Sequence, residues 1–469
     1  MFIVDEILKA TQGKLISGDK DLSVKNVSTD TRTISEGSLF IALKGDNFDG
    51  HNFIKIAFEK GAIAAIVSKL GPSPKASLLA AETPYFSEKN KKLALIKTKD
   101  TKKALGDIAR FYRQKLEIRT IGITGSNGKT TTKDMAAHIL SKKNKTAKTT
   151  DTENNLIGVP LTLLKIRKEA FAVIEMGTNI PGEIDYLAGI VKPDIGIITN
   201  IGPSHLEGLK TLKGILKEKI SLFNHLANGG YAVINKDDPF LTSAYTGKRK
   251  ITYAINNKNC DYAAGDINIT KNGTDFVLNK RHKFTLPVFG LCNVYNALAA
   301  ISACRALGIN IEACSGALSD FKPAKMRFNI LTCGSINIIN DAYNSNPLSM
   351  KAALEAMGAL KFPGRKIVVT ADMLELGKDK DRLHYEIGSA ISKSCADVLI
   401  TVGKLSRNTA KGALENGMKH SSVRSFENKD DALGFLLDTK EPNDTILVKG
   451  SRAMNMENLI QCFITSYTR

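Results

Sequence analysis

Between Ile121 and Leu140 an apolar run meets a glycine-rich turn and then a helix-like pattern. The run reads Ile121-Gly122-Ile123-Thr124-Gly125-Ser126-Asn127-Gly128-Lys129-Thr130-Thr131-Thr132, with Met135, Ala136, Ile139 and Leu140 on one face of the helical segment after it. A strand that feeds a glycine turn at a helix N-terminus is a cradle for a phosphate chain. Glycines let backbone N–H groups approach the oxygens, the helix end adds positive potential, a lysine reaches the terminal phosphates, and a hydroxyl suits Mg²⁺. Lys129 and Thr130 stand at those two places. The strict G-x-x-x-x-G-K-[ST] spacing is not met, because Ile123 stands where its first glycine would be; the loop reads G-x-x-G-K-T.

That segment opens a series of alternating strand and helix patterns. From about 104 to 322, β-rich runs at Ile118–Thr124, Ala172–Met176, Asp194–Asn200 and Tyr231–Asn235 are separated by helical segments, the mark of a parallel sheet with crossover helices. Near 249–290 strands follow in series around an Asn272-Gly273 turn, which predicts an antiparallel extension. A second alternating series has runs at 335–340, 366–371, 397–402 and 445–449, and helices over Met350–Leu360, with Leu354 and Met357 facing a core, and over Ala410–Met418. Before the first series, residues 1 to about 100 mix short strands such as Ser38–Leu43 with a helix-like run from Phe53 to Gly61. The lysine-rich stretch Lys89–Lys103 reads as a solvated linker or an exposed strand edge. The pattern is two α/β domains behind a smaller mixed one, and 469 residues suit about three domains.

Composition removes several classes. Apolar residues at 43% and charged residues at 24% exclude disorder and fibre repeats, and no apolar run approaches a bilayer span. Acids at Asp5 and Glu6 stand where a secretory signal needs basic residues, so a soluble protein is expected. Seven cysteines without a C-x-x-C pair fit reduced thiols rather than zinc or dithiol chemistry. The net charge of +19 suits anionic partners or a lysine-rich solvated surface. No Trp and no Arg-Gly-aromatic motif is present to stack bases.

Further candidates lie where β-rich runs end, the edge at which open α/β sheets bind ligands. Glu175 closes Val173-Ile174-Glu175, and His205 follows Thr199-Asn200-Ile201-Gly202-Pro203-Ser204. Glu175 suits Mg²⁺; His205 is a weaker candidate on chemistry alone, since Mg²⁺ prefers oxygen donors. Asn154 and Asn155 before Gly158 read as a turn. Asp341 and Asp372 each follow a strand-like run, and Asn293 and Asn296 share a helix face, where they would grip adenine or cap the helix.

Taken together, Gly125-Ser126-Asn127-Gly128-Lys129-Thr130-Thr131, Glu175, His205 and Lys219 resemble the Mur ligase family, the ATP-dependent amide-forming enzymes of peptidoglycan synthesis. The family's phosphate loop departs from the strict spacing in the same way. The resemblance implies ATP and Mg²⁺ as cofactors, metal ligation by Thr130, Glu175, His205 and a carbamylated Lys219, and Lys129, Glu175, His205 and Lys219 as the catalytic set. Lys217, two residues away, is the alternative carbamate site. ATP contacts carry over to Gly125 through Thr131, Asn293, Asn296, Arg327 and Asp341. Cys292 departs from the family's usual histidine before the first asparagine, and Ala371 from the glycine before Asp372.

Within the family, Asn340-Asp341-Ala342-Tyr343-Asn344-Ser345-Asn346-Pro347, Asp372-Met373-Leu374-Glu375-Leu376-Gly377 and Lys449-Gly450-Ser451-Arg452 resemble the branch that joins D-alanyl-D-alanine to UDP-N-acetylmuramoyl-tripeptide. Ser28-Thr29-Asp30-Thr31-Arg32, Gly45 and Asp49-Gly50-His51 resemble its uridine-nucleotide region. Substrate contacts are thereby expected at Ser28, Thr29, Asp30, Arg32, Gly45, Asp49, His51, Asn344, Asn346 and Ser451. The implied fold is α/β with three domains: a mixed α/β UDP-substrate domain over 1–100, a central parallel-sheet P-loop ATPase-like domain over 101–322, and a C-terminal Rossmann-like α/β domain over 323–469. The implied protein is a cytoplasmic monomer that neither enters a membrane nor binds nucleic acid. Two alternatives stand beside it: a related ligase for a folate or for the third amino acid, and a basic P-loop switch that binds nucleic acid.

Overall fold

Runs of Ile, Val and Ala without polar interruption form strands covered on both faces. Ala62–Val67, Phe171–Glu175 and Ile195–Ile198 are such strands, buried over all or nearly all of their length. The structure, a computed structural model, describes residues 1–69, 92–150, 153–244, 247, 249–270 and 272–467. Its contacts group the chain into two units. One comprises Met1–Thr120, Ala147–Met176 and Tyr186–Lys192; the other comprises Ile121–Thr146, Gly177–Asp185 and Pro193–Arg469.

In the first unit a five-stranded sheet runs in the order Lys14–Ser17, Ala94–Lys97, Ala62–Val67, Ser38–Ile41, Asn26–Ser28. Only Lys14–Ser17 is antiparallel to its neighbour. The expected helix from Phe53 is Ile54–Glu59, entered through a 3-10 turn at Gly50–Phe53, and it buries Ile54, Ala57 and Phe58 against Phe40, Ala65 and Leu95. The reading of Lys89–Lys103 as linker or exposed edge is corrected. Lys89–Lys91 lie outside the described residues, but Ala94, Leu95 and Ile96 are buried in an interior strand. Its flanking lysines only mark where the strand enters and leaves the sheet. Helix Thr101–Lys115 follows, capped by Asp100, which accepts from the N–H groups of Lys102 and Lys103.

In the second unit one sheet includes, in order, His282–Leu286, Gly273–Leu278, Tyr262–Thr270, Lys250–Ala254, Tyr231–Asn235, Ile195–Ile198 and the strand ending at Thr124. Ile121–Thr124, Ile195–Ile198, Tyr231–Asn235 and Lys250–Ala254 pair in parallel. The antiparallel extension expected from 249 starts later, because Tyr253 still pairs in parallel with Tyr262 and the first antiparallel ladder joins Tyr262–Thr270 to Gly273–Leu278. A second sheet runs Asn329–Cys333, Ile336–Asn340, Thr445–Lys449, Lys366–Ala371, Val398–Val402, Val423–Phe426, all parallel but the first pair.

Helix Pro347–Ala359 buries Leu354 and Met357, as expected, and the helix expected from Ala410 begins at Arg407. The edge strand Val423–Phe426 escaped sequence reading because Val423 alone of its residues is buried. Among the described residues no helix is long and apolar enough to cross a membrane, and the seven cysteines are free thiols.

Candidate active site

The glycine turn has little room for side chains. Gly125 (φ 147°) would place a Cβ 1.8 Å from Thr199 Oγ1, and Gly128 (φ 80°) one 2.2 Å from Asn296 Oδ1. The loop after Ile195–Ile198 then pins the turn. Ser126 N donates to Asn200 O (2.9 Å), Asn127 N to Asn200 Oδ1 (3.0 Å) and Thr199 Oγ1 to Asn127 O (2.5 Å). Ser126 Oγ donates to Gly202 O and accepts from Gly202 N. Helix Lys129–Ser141 starts at once, so Lys129, Thr130 and Thr131 occupy its first turn, where the dipole favours anions. Lys129 Nζ donates to Gly125 O at 2.8 Å, which keeps the ammonium over the turn.

The second sheet contributes to the same loop. Asn127 and Asn346 exchange amide hydrogen bonds, and Asn346 also caps helix Pro347–Ala359. Arg327 Nη2 donates to Thr130 Oγ1 (3.2 Å), with its guanidinium 3.8 Å from the centroid of the Tyr343 ring. Asp341 accepts from Phe328 N (3.1 Å) and from Lys449 Nζ (2.5 Å), and Lys449 also donates to Asn344 O (3.0 Å). Asn296 donates to Asn293 Oδ1 (3.1 Å), so the two amides share a helix face as the spacing predicts. Sequence reading placed Arg327, Asp341, Asn344 and Asn346 but not Tyr343, whose ring shows no spacing signal.

His205 and Lys219 occupy the same unit. His205 Nδ1 lies 2.7 Å from Glu375 Oε2, and this contact holds the Glu375 carboxyl below its ordinary range although burial pushes the other way. Lys219 is 1% exposed on helix Leu212–Ile220, whereas Lys217 is exposed. Burial, and then the charge of Lys129, push the Lys219 amine well below the usual lysine range. Its neighbour Glu218, missed in the sequence, accepts from Gly182 N, Ile184 N and Thr178 Oγ1 at 2.7–3.1 Å, and so holds the turn ahead of helix Glu183–Val191. Ser451 is spent on the loop Asp372–Gly377: its Oγ accepts from Leu374 N (2.8 Å). Asp372 is 8% exposed and accepts from Ser406 N (2.7 Å), so this strand-end carboxylate braces a neighbouring loop.

In the first unit Glu175 is 2% exposed and accepts from Asn154 Nδ2 at 2.9 Å. Asn155 Oδ1 accepts from Ile157 N and Gly158 N. The Asn154-Asn155 turn thus orients a carboxylate as well as starting a helix. Ser28 Oγ accepts from Asp30 N, and Asp30 grips Arg32 through Nε and Nη2, which lowers its pKa to about 2. Thr29 is half-buried beside them. His51 Nε2 accepts from Ser68 N (3.0 Å), so Nδ1 carries the proton toward Asp49 Oδ1 (2.6 Å). Burial pushes the Asp49 carboxyl up, but Lys69 and His51 outweigh it and hold it below the usual range. Gly45 N donates to Phe48 O (2.9 Å), closing the turn that leads to Asp49.

The donor chemistry suits a hard cation beside phosphates. In the second unit Thr130 offers a hydroxyl, His205 an imidazole and Lys219 a buried amine, pushed toward the neutral form, that can take up CO₂ to become an oxygen donor; in the first, Glu175 offers a carboxylate. Among the described residues no three of His, Cys, Asp and Glu cluster as a metal cage.

Comparison with known proteins decides the family. A relative from Bacillus subtilis, a UDP-N-acetylmuramoyl-tripeptide–D-alanyl-D-alanine ligase, is 38% identical over 467 residues, covering 99% of this chain and 98% of its own. The chain belongs to the Mur ligase family. The Mur ligase profiles match in succession: the family's catalytic domain over 23–113, its middle domain over 123–304 and its glutamate ligase domain over 326–452. The Escherichia coli ligase of the same name is 34% identical, with 94% of each chain covered. Among solved Mur ligases, MurF from Acinetobacter baumannii superposes with a TM-score of 0.87 at 31% identity, covering 99% of both chains. MurF from Thermotoga maritima in complex with ADP gives 0.82 at 25%, covering 96% of this chain and 99% of that one. The α/β fold expected from the sequence is therefore the three-domain Mur ligase fold, and the chain is an ATP-dependent, amide-forming ligase.

Proposed function

We propose that this protein joins the amine of D-alanyl-D-alanine to the terminal carboxylate of UDP-N-acetylmuramoyl-tripeptide, with ATP as energy source, as a cytoplasmic monomer in peptidoglycan precursor synthesis. The observation that carries the reading is the junction of Asn127 with Asn346, where the phosphate loop is tied to the Asn340–Asn346 signature. The family profiles support a division into a UDP-substrate domain (1–100), an ATP-binding domain (101–322) and a C-terminal ligase domain (323–469).

A carboxylate resists attack by an amine because its charge and resonance oppose it. In the proposed reaction the carboxylate attacks the γ-phosphate of ATP, expels ADP and becomes an acyl phosphate. The amine then attacks that carbonyl, and the tetrahedral intermediate collapses with loss of inorganic phosphate and a proton. Such chemistry needs positioning and charge neutralisation more than covalent catalysis. Gly125 to Thr131 present backbone N–H groups and Lys129 to the phosphates. Arg327, stacked on Tyr343, adds a second cation beside Thr130, Asp341 receives the ribose, and Asn293 and Asn296 grip the adenine. Thr130, Glu175, His205 and the Lys219 carbamate would hold Mg²⁺, which would supply neutralisation of phosphate charge. Ser28, Thr29, Asp30, Arg32, Gly45, Asp49 and His51 form the uridine-nucleotide site; Asn344, Asn346 and Ser451 shape the dipeptide side.

The test is phosphate release from ATP with UDP-N-acetylmuramoyl-tripeptide and either D-alanyl-D-alanine or single amino acids. Turnover with the dipeptide alone, lost in Lys129→Ala, is the expected result. Turnover with a single amino acid would overturn the acceptor, and no turnover in any mixture would overturn the reading.

A further inference from the structure

The glycine turn hangs from a loop that is itself held from behind. Residues Thr199 to Ser204, which follow strand Ile195–Ile198, turn their polar groups two ways. Toward the glycine turn, Asn200 accepts from Ser126 N and Asn127 N, and Thr199 Oγ1 donates to Asn127 O. Gly202 N and Ser204 Oγ both donate to Ser126 Oγ, at 2.9 and 3.1 Å. Away from the turn, Ile201 N donates to Asp238 Oδ2 at 2.7 Å, and Thr199 O accepts from the Tyr253 hydroxyl at 3.3 Å. Asp238 lies just past the neighbouring strand Tyr231–Asn235 and is 7% exposed; Tyr253, on the strand beyond it, is fully buried. A buried carboxylate is costly unless hydrogen bonds satisfy it. Asp238 divides its oxygens between two duties. Oδ1 accepts from Phe240 N (3.0 Å) and Leu241 N (3.1 Å) at the start of helix Pro239–Ala244, and Oδ2 reaches across to Ile201. The cap needs one oxygen, which asparagine or serine also offers. It is the second oxygen, turned to Ile201, that calls for a carboxylate.

We infer that Asp238 and Tyr253 are positioning residues for the nucleotide site: they seat loop Thr199–Ser204, which in turn sets the glycine turn against the nucleotide phosphates. Neither residue need touch the nucleotide. This rests on the proposed reading of Gly125–Thr131 as the ATP phosphate site. It extends that site to two further strands, Tyr231–Asn235 and Lys250–Ala254, whose ends carry no functional residue in the sequence reading. When the loop loses an anchor, the turn is correctly placed for only part of the time, and nucleotide affinity falls with the seated fraction.

The test uses the full chain and two readouts: ADP affinity by isothermal titration calorimetry, and amide hydrogen exchange without nucleotide, followed by mass spectrometry. In Asp238→Asn the amide oxygen keeps the two N–H groups of the cap, while its NH₂ faces Ile201 N, donor against donor. Exchange of the Ser126 and Asn127 amides should quicken about tenfold, that of Phe240 and Leu241 should stay slow, and ADP should bind about tenfold more weakly. Tyr253→Phe removes only the hydroxyl and should quicken the same Ser126 and Asn127 amides about fivefold, with ADP affinity falling in step. It carries the test by itself if Asp238→Asn does not fold. A role confined to capping predicts unchanged Ser126 and Asn127 amides in both variants, with any faster exchange at Phe240 and Leu241. That result would overturn the inference, as would ADP affinity that holds while the Ser126 and Asn127 amides quicken. Failure of the phosphate-site reading is seen separately, as wild-type ADP affinity in Lys129→Ala.

Discussion

Asn127 and Asn346, 219 residues apart, exchange two amide hydrogen bonds: Asn127 Nδ2 donates to Asn346 Oδ1 at 3.1 Å, and Asn346 Nδ2 donates to Asn127 Oδ1 at 2.7 Å. The same Asn346 Oδ1 accepts from Ser349 N at 2.9 Å and so caps its own helix. One side chain thus starts a helix and reads the position of the phosphate loop.

These two duties separate by mutation. Asn346→Ser keeps an oxygen for the cap but cannot reach Asn127, so stability should fall only by the two lost amide bonds, about 1 kcal/mol each, and not by the cap. Two lost hydrogen bonds of about 1 kcal/mol each correspond to a fall of about 30-fold in kcat/KM for ATP. Asn346→Ala should show the same activity loss with about 1 kcal/mol of added destabilisation in urea unfolding. Full activity in Asn346→Ser would show that the amide pair does not position the loop.

Arg327 combines a stack on Tyr343 with a hydrogen bond to Thr130. A lysine can supply charge but not a planar, multiply donating group over a ring. Arg327→Lys should therefore raise KM for ATP about tenfold or more, and Tyr343→Ala should do part of the same harm while leaving the guanidinium in place. Steady-state kinetics at varied ATP distinguish this from a pure charge effect, in which Arg327→Lys would behave as wild type.

The phosphate loop was legible because its demands are local: glycines that cannot carry a Cβ beside Thr199 and Asn296, a lysine, and a helix that starts at once. Glu175 and His205 were legible through the strand-end rule. The partner that orients Glu175 was not, nor was Glu218, which holds the turn ahead of helix Glu183–Val191. Asn154 read as a turn because its bond to Glu175 spans two segments, and Glu218 sits among lysines whose side-chain directions only the helix reveals. Lys89–Lys103 misled for the opposite reason: lysines at both ends outweighed the short Ala94-Leu95-Ile96 core in a compositional reading.

The burial of Lys219 against the exposure of Lys217 makes a direct chemical prediction. CO₂ adds to a neutral amine, and Lys219 is pushed toward that form by burial and by Lys129. After incubation with ¹³C-bicarbonate, wild type and Lys217→Ala should show a carbamate carbon resonance that Lys219→Ala lacks. In the proposed reaction the carbamate is a cation ligand, so Lys219→Ala should reduce turnover by at least about 10–100-fold, the loss typical of removing a ligand's supporting partner. A carbamate signal that persists in Lys219→Ala would move the modification elsewhere.

His384 gives the pH dependence its sign. It is buried, Nδ1 donates to Lys380 O at 2.7 Å, and Nε2 accepts from Met373 N at 2.9 Å, so the folded protein needs the neutral ring. Burial lowers its pKa below the ordinary histidine value of 6.5. A group with a depressed folded pKa binds fewer protons folded than unfolded below 6.5. Stability is therefore whole above that pH and falls as the pH drops toward the folded value, by at most about 1.4 kcal/mol per pH unit. His384→Gln, whose amide oxygen can accept from Met373 N without titrating, should flatten this slope between pH 7 and 5. Urea unfolding across that range measures it; parallel slopes in the two proteins would assign the acid sensitivity to other groups and leave His384 as a fixed brace for the loop that carries Glu375.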